Sequence, residues 1–317
     1  MIVPWRDRHG RFLPLKATVL ASGFIPGAVL AYWWTNGMLG GRPVTEVLHG
    51  TGDWAIRTLL ISLAITPAAR VLNWPRLLTV RRIVGLTALA YALAHFTLYA
   101  VDQKFHLGVV VSEIVLRFYL TIGFVVLLGL GMLGATSTNA WMQRLGRGWK
   151  RLHRAIYVLA AIALLHYFIQ SKSNVSEPVF FSGLLAWLLL WRALPMAWQR
   201  SLIVLPVLAV VAALAAAGIE FAWYALATGI NPWRVLAASE TLHFGLRPAH
   251  YVALTGFAVA LLTGLRRIAG LPWMRPIADR LTHFAAHRTR QDGLLRTRAA
   301  PHTARTAHRA LDNDPAG

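Results

Sequence analysis

Three histidines carry most of the chemistry this sequence offers. His95 stands in YALAHFTLY, His166 in ALLHYFIQ and His153 in KRLHRAIYV, each inside or at the edge of a long apolar run. Imidazole is costly in hydrocarbon, so a histidine kept there marks a functional site or a partnered group. Neutral imidazole can ligate a metal, relay a proton or hydrogen-bond a neighbouring helix. The chain has no cysteine. That excludes disulfides, cysteine-ligated iron–sulfur clusters and haem attached through C-x-x-C-H. Any cofactor must be held by histidine, by carboxylates or by non-covalent contacts.

The elements that must position these histidines are membrane helices. The composition is 56% hydrophobic and 14% charged, with a mean hydropathy of +0.52. Apolar residues fall in eight blocks, near 15–34, 54–71, 83–101, 114–135, 152–169, 179–194, 202–226 and 251–265. A polytopic all-α transmembrane bundle is the fold class, because helices satisfy their own backbone in lipid. The blocks predict six spans before residue 200 and about two further C-terminal spans. The first block follows Arg6, Arg8, Arg11 and Lys16, yet its length and its Trp33–Trp34 end fit an uncleaved anchor.

Placing the N-terminus in the cytoplasm leaves only Arg42, Arg57, Lys104, Arg117, Lys172, Arg234 and Arg247 of the 32 Lys and Arg on the other face. This asymmetry predicts both termini inside. The net charge of +20 is then topogenic, and no nucleic-acid partner is expected. The lipid bilayer is the partner that composition does demand. Gly129-Leu130-Gly131-Met132-Leu133-Gly134 matches a dinucleotide fingerprint but lies in an apolar block with no strand before it. Close helix packing explains these glycines better. After residue 270, Trp273, Met274, Ile277, Leu281 and Phe284 suggest an interfacial helix, followed by a disordered basic tail. No internal repeat is evident.

Depth sorts the histidines. Helix three enters from the cytoplasm near Arg82 and helix five near Leu152, which puts His95 and His166 each about 20 Å in. Equal depth on two helices is what two ligands on opposite faces of one flat cofactor require. His153 precedes His166 by thirteen residues, so it lies near the inner surface and about 140° around the helix. It therefore serves a separate site or an interfacial role. His49, His106, His243 and His250 read as outer-face residues, and His283 and His287 as part of the tail.

LTVRRIVGLTALAYALAHFTLY and RFYLTIGFVVLLGLGMLGATSTNAWMQRLGRGWKRLHRAIYVLAAIALLHYFIQSK resemble the MsrQ (YedZ) family, within the ferric-reductase-like transmembrane superfamily. LGGRPVTEVLHGTGDWAI and TPAAR also fit, and the resemblance covers about residues 15–200. It implies a b-type cytochrome of the bacterial inner membrane, with one or two haems and FMN. The chain would not be an enzyme on its own but the electron-transfer subunit of a methionine sulfoxide reductase system. Electrons would pass from the quinone pool, or a cytoplasmic flavin reductase, to a periplasmic molybdenum enzyme, MsrP, which repairs oxidised proteins. The family's haem-ligand histidines match His95, His153 and His166. The superfamily carries two histidines on each of two helices, but Arg81 stands here where the inner one of helix three would be.

The expected organisation is an arm over 1–14, a haem-binding domain over 15–200, added spans over 201–270 and a basic tail over 271–317. Arg81, Arg82 and Arg151 at the inner side are candidates for haem propionates or an FMN phosphate, and also fit lipid headgroups. The alternatives are a proton-coupled transporter using membrane histidines as relays and a cofactor-free structural subunit.

Overall fold

The computed structural model describes residues 12–172, 174–240 and 245–269. The chain divides into two compact units, Met1–Thr263 and Gly264–Gly317. The tail expectations, with His243, His283 and His287, lie outside the described residues.

Among the described residues, seven helices are long and apolar enough to cross a membrane. The chain is a multi-pass helical membrane protein. Helix α1 (Pro14–Thr35) is followed by α2 (Pro43–Val71), a 3-10 turn (Pro75–Val80) and α3 (Arg81–Asp102). A short apolar α4 (Leu107–Leu116) leads into α5 (Phe118–Ala135), then two short helices, α6 (Asn139–Leu145) and α7 (Arg147–His153). Helices α8 (Ala155–Ser171), α9 (Ser176–Ala193), α10 (Val204–Ala227), α11 (Pro232–Glu240) and α12 (Pro248–Ala269) complete the order. Proline opens α1, α2, α11 and α12, where its missing N–H costs nothing.

Three sequence expectations are corrected. The second apolar block is the C-terminal part of a longer helix, because α2 starts at Pro43 and carries Glu46, His49 and Asp53 inside it. Those polar residues lower the hydropathy without breaking the helix. The fourth block is two helices, since Arg117 is extended (φ −105°, ψ 103°) between α4 and α5. Its guanidinium pairs with Glu113 at 2.7 Å, and Thr121 Oγ1 donates at 2.5 Å to the freed carbonyl of Ile114. The sixth block is α9, eighteen residues long but outside the seven, because Glu177, Pro178 and Arg192 at its ends dilute its apolar middle.

Two packed pairs frame the site, α2 with α3 and α5 with α8. Helix α1 leans on α3 through an inserted hydroxyl. Pro26 interrupts its ladder, and Tyr91 Oη accepts from the Gly27 N–H at 2.9 Å while donating to the Gly23 carbonyl at 2.8 Å. The false dinucleotide motif is packing: a Cβ at Gly129 would strike Leu159, and one at Gly134 would strike Leu89. The C-terminal helices belong to the same core. Trp223 packs on Phe168 with centroids 4.9 Å apart, Gly183 admits Val252 and Ala216, and buried Glu220 pairs with Arg247 at 2.5 Å.

Candidate functional site

His95 on α3 and His166 on α8 come together in one cavity of about 640 Å³ between α2, α3, α5 and α8. Their ring centroids are 6.4 Å apart and the ring planes cross at 84°. Ile56, Leu59, Phe96, Phe124 and Leu130 form apolar walls, while His49, Asp53, Asp102, Glu113 and Arg117 line the polar end.

Each imidazole is held in the same way. His95 Nδ1 meets the carbonyl of Leu48 on α2 at 2.8 Å, and His166 Nδ1 meets the carbonyl of Tyr119 on α5 at 2.8 Å. A carbonyl only accepts, so Nδ1 carries the hydrogen in both rings. With the rings neutral, the Nε2 lone pairs are the free donors. Four residues after each carbonyl stands a glycine. A Cβ at Gly52 would lie 2.9 Å from His95 Nδ1, and one at Gly123 would lie 2.8 Å from His166 Cε1. Helical Cα–Cβ bonds tilt towards the N-terminus, so a side chain at i+4 covers the carbonyl of residue i. Glycine uncovers it and lets the ring approach. The histidine follows its carbonyl by 47 residues in both cases. The chain therefore builds one device twice, although no repeat is visible in its residue types.

At the polar end a second pattern recurs. Tyr99, one turn beyond His95, donates to Glu113 at 2.7 Å, and Arg117 pairs with that carboxylate. Tyr167, beside His166, donates to Glu177 at 2.7 Å, and Arg57 grips Glu177 at 2.9 and 3.1 Å. A tyrosine, a glutamate and an arginine thus flank each histidine.

His153 lies elsewhere. It does not line the cavity. Its ring stacks on Trp149 at 3.9 Å, Nδ1 meets the Trp149 carbonyl at 3.2 Å, and Nε2 is 3.4 Å from Ser137 Oγ. Arg81, Arg82 and Arg151 are also absent from the cavity lining. Arg82 donates to Asn139 Oδ1 at 3.1 Å, Arg81 is close enough for its charge to be felt at His153 and Arg192, and Arg151 is exposed on α7. His49, read from sequence as an outer-face residue, lines the polar end of the cavity. Gly52 and Gly123 are the residues sequence reasoning missed. Their one signal, a glycine in an apolar helix, usually means helix packing.

The model of the ferric reductase like transmembrane component matches residues 51–164, a span that holds His95 and His153 and stops two residues short of His166. The protein-methionine-sulfoxide reductase heme-binding subunit MsrQ of Xanthomonas campestris is 42% identical over 192 residues, which is 58% of this chain and 86% of that protein. The chain belongs to the MsrQ family. The MsrQ protein of Xanthomonas oryzae is similar to the same extent, and that of Caulobacter vibrioides is 39% identical over 171 residues, 81% of its length. No solved structure gives a significant match. This member of the MsrQ family is longer than the relatives it matches, which align with 53–58% of it.

Proposed function

We propose that this chain is the haem-binding, electron-carrying membrane subunit of a methionine sulfoxide reductase system, with haem b held between His95 and His166. The observation that carries the reading is the imidazole pair in its cavity. A first-row metal–imidazole bond is about 2.0–2.1 Å. A five-membered ring with bonds of about 1.33 Å sets each nitrogen about 1.1 Å from its centroid. Two rings in line across one metal therefore have centroids about 6.2–6.4 Å apart, and these are 6.4 Å apart.

The donor set argues in the same direction. Among the described residues no group of three or more His, Cys, Asp or Glu could hold a metal. A bare ion asks for four or more ligands, whereas haem iron arrives with its equatorial donors and needs only axial ones. The cavity, at about 640 Å³, lies within the usual range of cofactor sites.

When bound, the haem supplies a one-electron iron couple. The residues of this chain make that couple a conduit. His95 and His166 would hold the iron from its two faces and leave no position open to oxygen. Phe96 and Phe124, 5.8 Å apart, keep the walls apolar. The backbone carbonyls behind both Nδ1 atoms cannot accept and pass on a proton, which disfavours the transporter alternative.

In this reading both termini are cytoplasmic, and electrons run from the quinone pool or a cytoplasmic flavin reductase to a periplasmic MsrP-type molybdoenzyme across the bacterial inner membrane. FMN belongs at the cytoplasmic end, where Arg81, Arg82 and Arg151 offer cations and residues 54–101 and 114–176 contain no carboxylate. An inner haem on His153 would first have to displace Ser137 from Nε2. The conduit itself therefore rests on the outer pair.

The test is a dithionite-reduced minus oxidised spectrum of detergent-purified protein from haem-replete cells. A b-type signal is expected, and its absence overturns the reading. Deleting the chain while MsrP remains should stall repair of periplasmic methionine sulfoxide; unchanged repair would remove the partner assignment.

A further inference from the structure

We propose that Gly52 and Gly123, each baring the helix carbonyl four residues before it, lock His95 and His166 with crossed ring planes and so set the electronic character of the bound iron. The inference rests on the haem reading above and goes beyond it, because ligation alone leaves ring orientation open. Rotation of an imidazole about Cβ–Cγ is broad and roughly two-fold, so something must choose the plane. Here the choice is made by one hydrogen bond and one steric wall per ring. The Leu48 and Tyr119 carbonyls fix where each Nδ1 points, at 2.8 Å in both cases. The glycine Cα behind each ring sets how closely the ring can lie against its neighbouring helix. The result is an interplanar angle of 84°.

The angle matters through orbital symmetry. Ferric low-spin iron has one hole in the orbitals that meet imidazole π electrons. Two parallel rings act on the same orbital and split the pair strongly. Two crossed rings act on one orbital each and leave the pair nearly degenerate, which makes the magnetic response highly anisotropic. The outer haem should therefore show a single dominant low-field resonance rather than a well-separated rhombic trio. Axial ligands and the hydrogen bonds behind them are the protein's main handles on a haem. Here both handles are set by glycines that line the cavity behind the rings and offer no ligand atom, so Gly52 and Gly123 are positioning residues.

The experiment is low-temperature electron paramagnetic resonance on the full-length ferric protein, with Gly52→Ala, Gly123→Ala and Gly131→Ala beside it. Gly131 lies on α5 with nothing within 4 Å of a Cβ there, so it is the control. The wild type and Gly131→Ala should share the single low-field feature. In Gly52→Ala or Gly123→Ala it should move towards the rhombic trio, or the haem should be lost while Gly131→Ala keeps it. A rhombic trio in the wild type overturns the crossed-plane assignment. Haem-replete Gly52→Ala and Gly123→Ala proteins with unmoved spectra overturn the role of the glycines. Absence of any haem in the wild type fails differently: it removes the haem reading itself, and this inference with it.

Discussion

His153 and His166 stand on one span, Arg147–Ser171, yet their surroundings are opposite. His166 turns its Nδ1 to another helix, rests on a glycine, and shares a cavity with a second imidazole. His153 turns its Nδ1 to its own helix, stacks on a tryptophan of that helix, and has Ser137 beside its Nε2. The first ring is held from behind with its donor atom free. The second is engaged on both nitrogens and one face. A membrane histidine is thus defined as a ligand less by its depth than by which of its nitrogens the protein has already used.

The contrast can be broken most sharply by removing each ring. His166→Ala should abolish the reduced-minus-oxidised b-type signal of the outer site, whereas His153→Ala should keep it at wild-type intensity. Loss of the outer signal in His153→Ala would erase the distinction. A milder change keeps a ligand but alters its character. His95→Met or His166→Met should raise the midpoint potential by on the order of 100 mV, since a thioether opposite imidazole favours ferrous iron. His153→Met should leave that potential where it was. The smallest effect is expected at the inner ring's own supports. Trp149→Leu should cost about 1 kcal/mol of stability through the lost stacking, read by thermal unfolding in detergent, with the haem spectrum unchanged. A spectral shift there would tie His153 to the cofactor.

Much of this was legible in the sequence for simple reasons. Apolar run lengths give the spans, and counting from Arg82 and Leu152 puts His95 and His166 at one level, where their rings meet in one cavity. Three things were hidden. The polar start of α2 reads as a loop because Glu46, His49 and Asp53 depress its hydropathy, although His49 and Asp53 line an internal cavity. Arg117 looks like a tolerated charge in a long span, until its pairing with Glu113 shows why the chain opens there. The glycine–carbonyl seats of the two rings involve partners 47 residues apart, and pattern reading within one helix cannot join them. The repeated device lies in spacing and backbone, with little trace in side-chain identity.

The claim that His95 and His166 are the two axial ligands is tested most directly by near-infrared magnetic circular dichroism of the ferric protein, where the charge-transfer band identifies the ligand pair. A bis-imidazole band is predicted in the wild type, with its loss in both His95→Ala and His166→Ala. A histidine–methionine or five-coordinate high-spin band in the wild type, or a bis-imidazole band surviving both substitutions, would contradict the account.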